Sequence, residues 1–187
     1  MLCGFPSCEA FIEAVKAGLK KPQDCTFIEG NRAYALDAIK RIEELWPDVP
    51  LLTHPRPGFT GLIELNKPGR ESLVLLSGNN EYTEQVLLTV LGTTLCPFSV
   101  LFVDTDGNTV DMAMIYHTLT AERIQKAIMK SGIEAKGNTR EMIIPGLAGQ
   151  LKAEIEMLTG WRVRVGPVCA AELPLFLSDI WIPPDTI

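Results

Sequence analysis

The residues best equipped for chemistry stand at the front of the chain. Cys3, Cys8 and Cys25 fall within the opening stretch of a 187-residue sequence that holds five cysteines in all. Thiolates are soft ligands suited to iron–sulfur clusters and zinc. The Gly4-Phe5-Pro6 turn between the first two would bend the backbone so that both sulfurs could face one ion. Three thiols are one short of a closed tetrahedral site. The only histidines, His54 and His117, lie far along the chain, so structural zinc lacks an obvious fourth ligand. The alternative is that these cysteines serve as small hydrophobes in a helix pair. An odd number of cysteines also argues against a disulfide framework.

A second group consists of small and turn-forming residues that follow apolar runs. These are Ser77-Gly78-Asn79-Asn80, the Asp104 to Asn108 turn, Pro145-Gly146 and Gly166-Pro167. Such residues let the backbone come close to a ligand and aim helix N-terminal amides at it. They are also what any chain reversal needs, and Asp104 and Asp106 read as loop caps rather than as a metal site.

The elements that must carry these residues follow from periodicity. From Glu71 onward, short apolar runs at Leu73–Leu76, Ser99–Val103, Met142–Ile144 and Trp161–Val165 alternate with helical segments at Tyr82–Leu91, Ala121–Lys130, Leu147–Leu158 and Ala170–Leu177. Short runs without strict alternation suit strands covered on both faces, and β followed by α in repetition implies a parallel sheet. The expected fold class is α/β, a doubly wound, mostly parallel Rossmann-like sheet with a small N-terminal helical cysteine segment. Its ligand crevice belongs at the carboxyl ends of the strands. Ahead of it, residues 7–21 predict an amphipathic helix capped by Ser7, and Ala33–Leu45 predicts a second, with Asn31 available as its cap. Between Trp46 and Arg70, prolines and glycines predict a linker with short extended pieces.

Composition narrows the function. The net charge is −6, with 47% hydrophobic and 21% charged residues and scattered Lys and Arg, so the basic footprint of a nucleic-acid binder is missing. No apolar run has the ~20 residues of a membrane span, and the first residues do not read as a secretory signal, so the expected compartment is the cytoplasm. Neither G-x-G-x-x-G nor a P-loop follows a predicted strand, which leaves a flavin or nucleotide domain unsupported. Neither histidine lies beside a G-x-S-x-G elbow, so a Ser-His-Asp enzyme has no support.

Two stretches carry a family resemblance. Around the cysteines, CGFPSC and the spacing to Cys25 resemble the last three positions of the four-cysteine iron–sulfur module C-x2-C-x4-C-x16-C. Its first position would fall ahead of Met1. Farther on, CPFSVLFVDTDGNTV, KAIMKSGI and REMIIPGLAGQLKAEIEMLTGWRVRVGP resemble, in one order, the C-terminal domain of the large subunit of the corrinoid iron–sulfur protein of the acetyl-CoA synthase and decarbonylase system. The family's N-F-A-L-T-Y segment falls on residues 79–84, where Asn79 and Thr83 are kept. The family's central barrel has no counterpart, and its V-G-P-R-D-S-S becomes Val165-Gly166-Pro167-Val168-Cys169-Ala170-Ala171.

The resemblance implies residues 1–30 as a partial iron–sulfur module, 31–70 as helix and linker, and 71–187 as a corrinoid-binding-like α/β domain. It implies a carrier of methyl groups on a corrinoid of the cobalamin type, with a 4Fe–4S cluster that restores reduced cobalt. Metal ligands would be Cys3, Cys8 and Cys25, with an upstream fourth, with three alone, or with the cluster lost. Corrinoid contacts would come from Asn79, Thr83, Pro145, Gly146, Gly166 and Pro167. In the family the cobalt's lower face has no protein ligand. His117 could supply an axial imidazole there, or simply cap a helix. The D-x-H-x-x-G motif of the other cobalamin fold is absent, since His54 has no Asp two residues before it. Implied partners are a barrel-type small subunit or a methyltransferase, with a homodimer possible and neither nucleic acid nor membrane involved. The competing reading is a shortened relative acting in electron transfer or assembly without corrinoid.

Overall fold

Residues 3–50, 55–136 and 139–182 are described by the structure, a computed structural model. Five strands form one sheet: β1 Gly61–Leu65, β2 Leu73–Gly78, β3 Phe98–Val103, β4 Glu141–Ile144 and β5 Arg162–Val165, in the order β1-β3-β2-β4-β5. β2 pairs in parallel with β3 and β4, and β4 in parallel with β5; β1 alone runs antiparallel, on the outer edge of β3. The expected doubly wound α/β class is therefore observed. β3, buried at every position, lies inside the sheet, whereas β5 buries only Val163 and forms the opposite edge.

Alternation along the strands divides the core in two, because successive side chains point to opposite faces. Val74, Leu76, Leu101, Val103, Met142 and Ile144 face one side, against α4 Val110–Ile115, α5 Ala121–Ser131 and α6 Lys152–Thr159. Leu75, Phe98, Val100, Phe102 and Ile143 face the other, against α2 Gly30–Leu45, α3 Glu81–Leu91 and α7 Leu173–Phe176. The chain leaves β2 for β3 through α3 on one face and returns from β3 to β4 through α4 and α5 on the other. Crossovers that diverge in this way open a crevice at the carboxyl ends of β2 and β4.

Local differences from the expected elements have local causes. The first helix, α1 Cys8–Lys16, does start at Ser7, whose hydroxyl accepts from the Ala10 N–H at 3.2 Å. It stops short of Lys21 because Gly18 takes φ +73°, and the Leu19 N–H turns back to the Ala14 carbonyl at 2.9 Å, a left-handed helix stop. Asn31 is not the cap of α2, which begins at Gly30; its amide reaches instead to the Asp179 carbonyl at 3.2 Å. The proline-rich stretch contains β1, an edge strand fixed by five paired positions from Gly61↔Phe102 to Leu65↔Phe98. Ala38 and Ile42 of α2 join the sheet's own core. The segment expected as one helix from Leu147 starts as a 3-10 turn, Gly146–Leu151, before α6.

Candidate ligand cleft at the strand crossover

At the divergence of β2 and β4 lies a cleft of about 290 Å³. Ser77 from the end of β2, Pro145 from the end of β4, and Tyr82 and Thr83 from the first turn of α3 form its walls, with Gly166 and Pro167 from the loop after β5. Trp46 and Val49, from the segment after α2, close one side. The lining is predominantly apolar, and exposed Leu147 and Val168 extend the apolar surface outward at its rim.

Gly166 lines the cleft because its backbone lies against β4: a Cβ there would sit 2.9 Å from Ile143 Cγ2 and 3.1 Å from the Ile144 carbonyl. Gly146 acts one layer back. Its N–H donates to the Pro167 carbonyl at 2.9 Å, and an added Cβ would lie 2.8 Å from the backbone of Pro167 and Val168. The two expected glycines are thus present at the site, one as wall and one as the close contact that sets the loop.

Thr109, the N-cap of α4, was absent from the sequence expectations. Its Oγ1 is buried, faces no partner, and makes no capping bond, and the residue lines the cleft. A Thr after the Asp-Gly-Asn turn is an ordinary helix start in sequence, so only its unfilled hydroxyl sets it apart.

Asn79 serves a different purpose. It is buried, and its Oδ1 accepts from the Thr105 N–H at 2.8 Å and the Gly107 N–H at 3.2 Å and lies 3.0 Å from the Thr105 hydroxyl, whose one proton is shared with the Asn108 carbonyl, while its Nδ2 donates to Thr60 Oγ1 at 3.0 Å. Those bonds stitch the β2–α3 turn to the β3–α4 turn and consume its polar atoms within the chain. Arg56 to Gly58 run over the same turns as a strap. The Arg56 N–H donates to the Gly107 carbonyl at 2.7 Å and the Gly58 N–H to the Asn79 carbonyl at 2.6 Å. Gly107, at φ +75°, has no room for a Cβ beside Pro57. The strap also clamps α3: the Arg56 guanidinium pairs with Glu81 at 2.9 Å and donates to the Tyr82 hydroxyl at 2.6 Å.

The start of α3 is therefore closed. The Glu81 N–H donates to the Arg56 carbonyl at 3.0 Å, and the Tyr82 and Thr83 N–H groups to Asn80 Oδ1 at 3.0 and 3.3 Å. The Glu84 N–H donates to the Asn80 carbonyl at 2.9 Å. The Glu81, Tyr82 and Thr83 amides, which a helix start normally leaves free, thus have partners ahead of the first regular helical bond from Glu84, so this turn offers no seat for a phosphate.

His117 is exposed, at φ +54°, outside the cleft lining. It holds the left-handed position that ends α4, and the following Thr118 N–H returns to the Ala113 carbonyl at 2.8 Å, the pairing of a Schellman stop. His54 lies outside the described residues. Cys3 and Cys25 are half-buried and Cys8 exposed, all free thiols. Among the described residues no three His, Cys, Asp or Glu side chains converge as a metal-holding group, so the structure does not gather the three cysteines.

Fold and site together define an α/β unit with an apolar cleft at the strand crossover and a first turn of α3 whose amides are bonded within the chain. The family model described as CO dehydrogenase/acetyl-CoA synthase delta subunit matches residues 56–177, from the strap through all five strands to the end of α7. The chain belongs to that family. A second model, described as "Putative Fe-S cluster", matches residues 2–27. Among curated proteins, the acetyl-CoA decarbonylase/synthase complex subunit gamma of Methanopyrus kandleri is 30% identical over 155 residues, covering 78% of this chain and 34% of that protein. The subunit gamma of Archaeoglobus fulgidus is 31% identical over 137 residues, covering 73% and 28%. Subunit gamma 2 of Methanosarcina thermophila is 33% identical over 155 residues, covering 80% and 33%. The chain spans about a third of the length of these relatives. Among the described residues, no helix is long and apolar enough to cross a membrane.

Proposed function

We propose that this chain is a methyl carrier that seats a corrinoid at the strand crossover. The observation that carries the reading is the apolar cleft between the carboxyl ends of β2 and β4, inside the segment that matches the family. Its chemistry suits one edge of a tetrapyrrole: mostly apolar walls, with the Gly166 backbone packed close against β4 so that the wall stays thin and smooth there. At about 290 Å³ it sits at the lower end of the ~300–1,000 Å³ typical of small-molecule sites. The cleft therefore takes an edge of the ring, and the rest lies over the apolar rim. A bound corrinoid supplies a cobalt centre able to accept and donate a methyl group. Thr83, Pro145, Gly166 and Pro167 would hold the ring in place, and Trp46 and Val49 would keep water from that edge. Asn79 would act indirectly, by fixing the two turns that shape the mouth.

The N-terminal thiols do not fit a cluster as they stand, since Cys3, Cys8 and Cys25 supply three thiolates and do not converge. The relatives are named as subunits of a complex. The outer face of the bound ring is accordingly where a barrel-type subunit or a methyltransferase would dock, a second copy of this chain being the alternative.

Anaerobic titration with cobinamide tests the proposal. The chain should retain visible absorbance through gel filtration, and the ring should quench Trp46 fluorescence, a loss of signal that Trp46→Phe removes. A chain that emerges colourless at micromolar cofactor overturns the proposal. The second reading, an electron-transfer or assembly protein without corrinoid, draws on the complete internal bonding of Asn79. It predicts iron and sulfide without cobalt, or neither, in anaerobically isolated protein; stoichiometric zinc would defeat both readings.

A further inference from the structure

We infer that Asp111 makes the cleft selective for a corrinoid whose rim carries neutral amides, and against one whose rim carries carboxylates. This rests on the corrinoid reading and narrows it to a chemical class of macrocycle. Of the residues that line the cleft, Asp111 is the only one with a charged side chain. It stands in the first turn of α4, beside the lining residue Val110, and is exposed, so solvent and a ligand in the cleft can reach it. Among the described residues it enters no ion pair. No Lys or Arg lines the cleft to offset it. The Arg56 guanidinium beside Tyr82 is taken by Glu81 at 2.9 Å and by the Tyr82 hydroxyl at 2.6 Å. Asp48, between the lining residues Trp46 and Val49, and Glu172, between Ala170 and Leu173, are exposed and add charge of the same sign.

A hydrogen bond needs aim, whereas a charge acts over distance: at physiological ionic strength the field of an exposed carboxylate extends ~8 Å. Apolar walls focus that field within the cleft. A corrinoid rim comes in two forms, with amides or with the carboxylates from which those amides are made. An amide is neutral, and its N–H groups interact favourably with a carboxylate. The oxidised cobalt ring of an amidated corrinoid is cationic, which favours its approach further. A carboxylate on the rim instead meets like charge in a cleft that offers no cation to pair with it. Repulsion between like charges at ~4 Å amounts to about threefold to tenfold in affinity in the high dielectric of an exposed site. The same field turns away phosphate groups, in keeping with the bonded amides at the start of α3.

The test compares two probes, cobinamide with its amide rim and cobyrinic acid with its carboxylate rim, by visible-absorbance titration of the wild type, Asp111→Asn and Asp111→Glu. The wild type should bind cobinamide more tightly than cobyrinic acid. Asp111→Asn, which keeps the shape and removes the charge, should narrow that ratio about threefold to tenfold, and Asp111→Glu should keep it. Salt at ~1 M, which shortens the field to ~3 Å, should narrow the wild-type ratio in the same direction. A first-turn carboxylate also favours α4 itself, but a merely structural role would weaken both probes together and leave the ratio unmoved. An unchanged ratio in Asp111→Asn, or a wild type that binds cobyrinic acid at least as tightly as cobinamide, overturns the inference and leaves the corrinoid reading standing. A wild type that binds neither probe overturns the corrinoid reading, and this inference with it.

Discussion

Replacing Asn79 by Ala separates a structural stitch from a ligand contact, and its cost can be worked from the bonds it breaks. Asn79 is 3% exposed and its Oδ1 receives the N–H groups of Thr105 and Gly107, both buried. The Thr105 hydroxyl retains its bond to the Asn108 carbonyl at 2.8 Å, so it is not orphaned. Two buried amides are. Each unsatisfied buried donor costs about 1–3 kcal/mol, which places the loss at about 2–6 kcal/mol, with the lower end applying where water enters the space vacated by the side chain. For a domain of this size each kcal/mol shifts Tm by about 2–4 °C, so Asn79→Ala should melt about 4–24 °C below the wild type. Thr60→Val removes only the bond at 3.0 Å from Asn79 Nδ2 to an exposed residue and should cost no more than about 1 kcal/mol. Thermal unfolding followed by circular dichroism reads both. If Asn79→Ala melts within about 2 °C of the wild type yet loses cobinamide binding, Asn79 touches the ligand and the stitch argument fails.

Gly146→Ala would drive a methyl group against the backbone of Pro167 and Val168, and overpacking of this kind costs about 1–3 kcal/mol; a lower Tm together with weakened cobinamide binding is expected. His117→Gly removes a side chain from a left-handed position that favours glycine by about 1 kcal/mol. Its Tm should therefore rise or hold, and the absorbance of the cobinamide complex should stay as in the wild type. A shifted cobalt spectrum would instead show that the imidazole ligates. Burial pushes the Cys96 thiol above its ordinary value. Above about pH 8.5 the unfolded chain therefore releases this proton more readily than the folded one. Stability should fall as pH rises from the unfolded toward the folded value, and urea midpoints of Cys96→Ala should show a flatter alkaline slope.

Much of the architecture could be read from residue order. The runs from Leu73, Ser99 and Met142 are apolar without alternation, as strands covered on both faces must be, whereas Trp161–Val165 alternates with arginines as an edge strand does, and all four fall in the sheet. β1 escaped because an edge strand needs little apolar surface and this one sits among prolines and glycines; it is defined by its pairing with β3. α4 escaped because six residues are too few to display a helical period. At the site, Thr83, Pro145, Gly166 and Pro167 come together at the cleft, because residues at the carboxyl ends of parallel strands share one edge wherever the strands alternate with helices.

Chain order alone thus determined the layered α/β class, the edge on which a ligand site must lie and the small residues available there. Only the tertiary structure decided which of those residues face outward. Asn79 finds Thr105 and Gly107 across the β2–α3 and β3–α4 turns, Trp46 and Val49 swing in from ahead of the sheet, and Thr109 is left with nothing to bond. The physical reason is that hydrogen-bond capacity is filled by neighbours in space, and two turns that meet over a sheet settle which polar groups remain open in a way that neither turn encodes by itself.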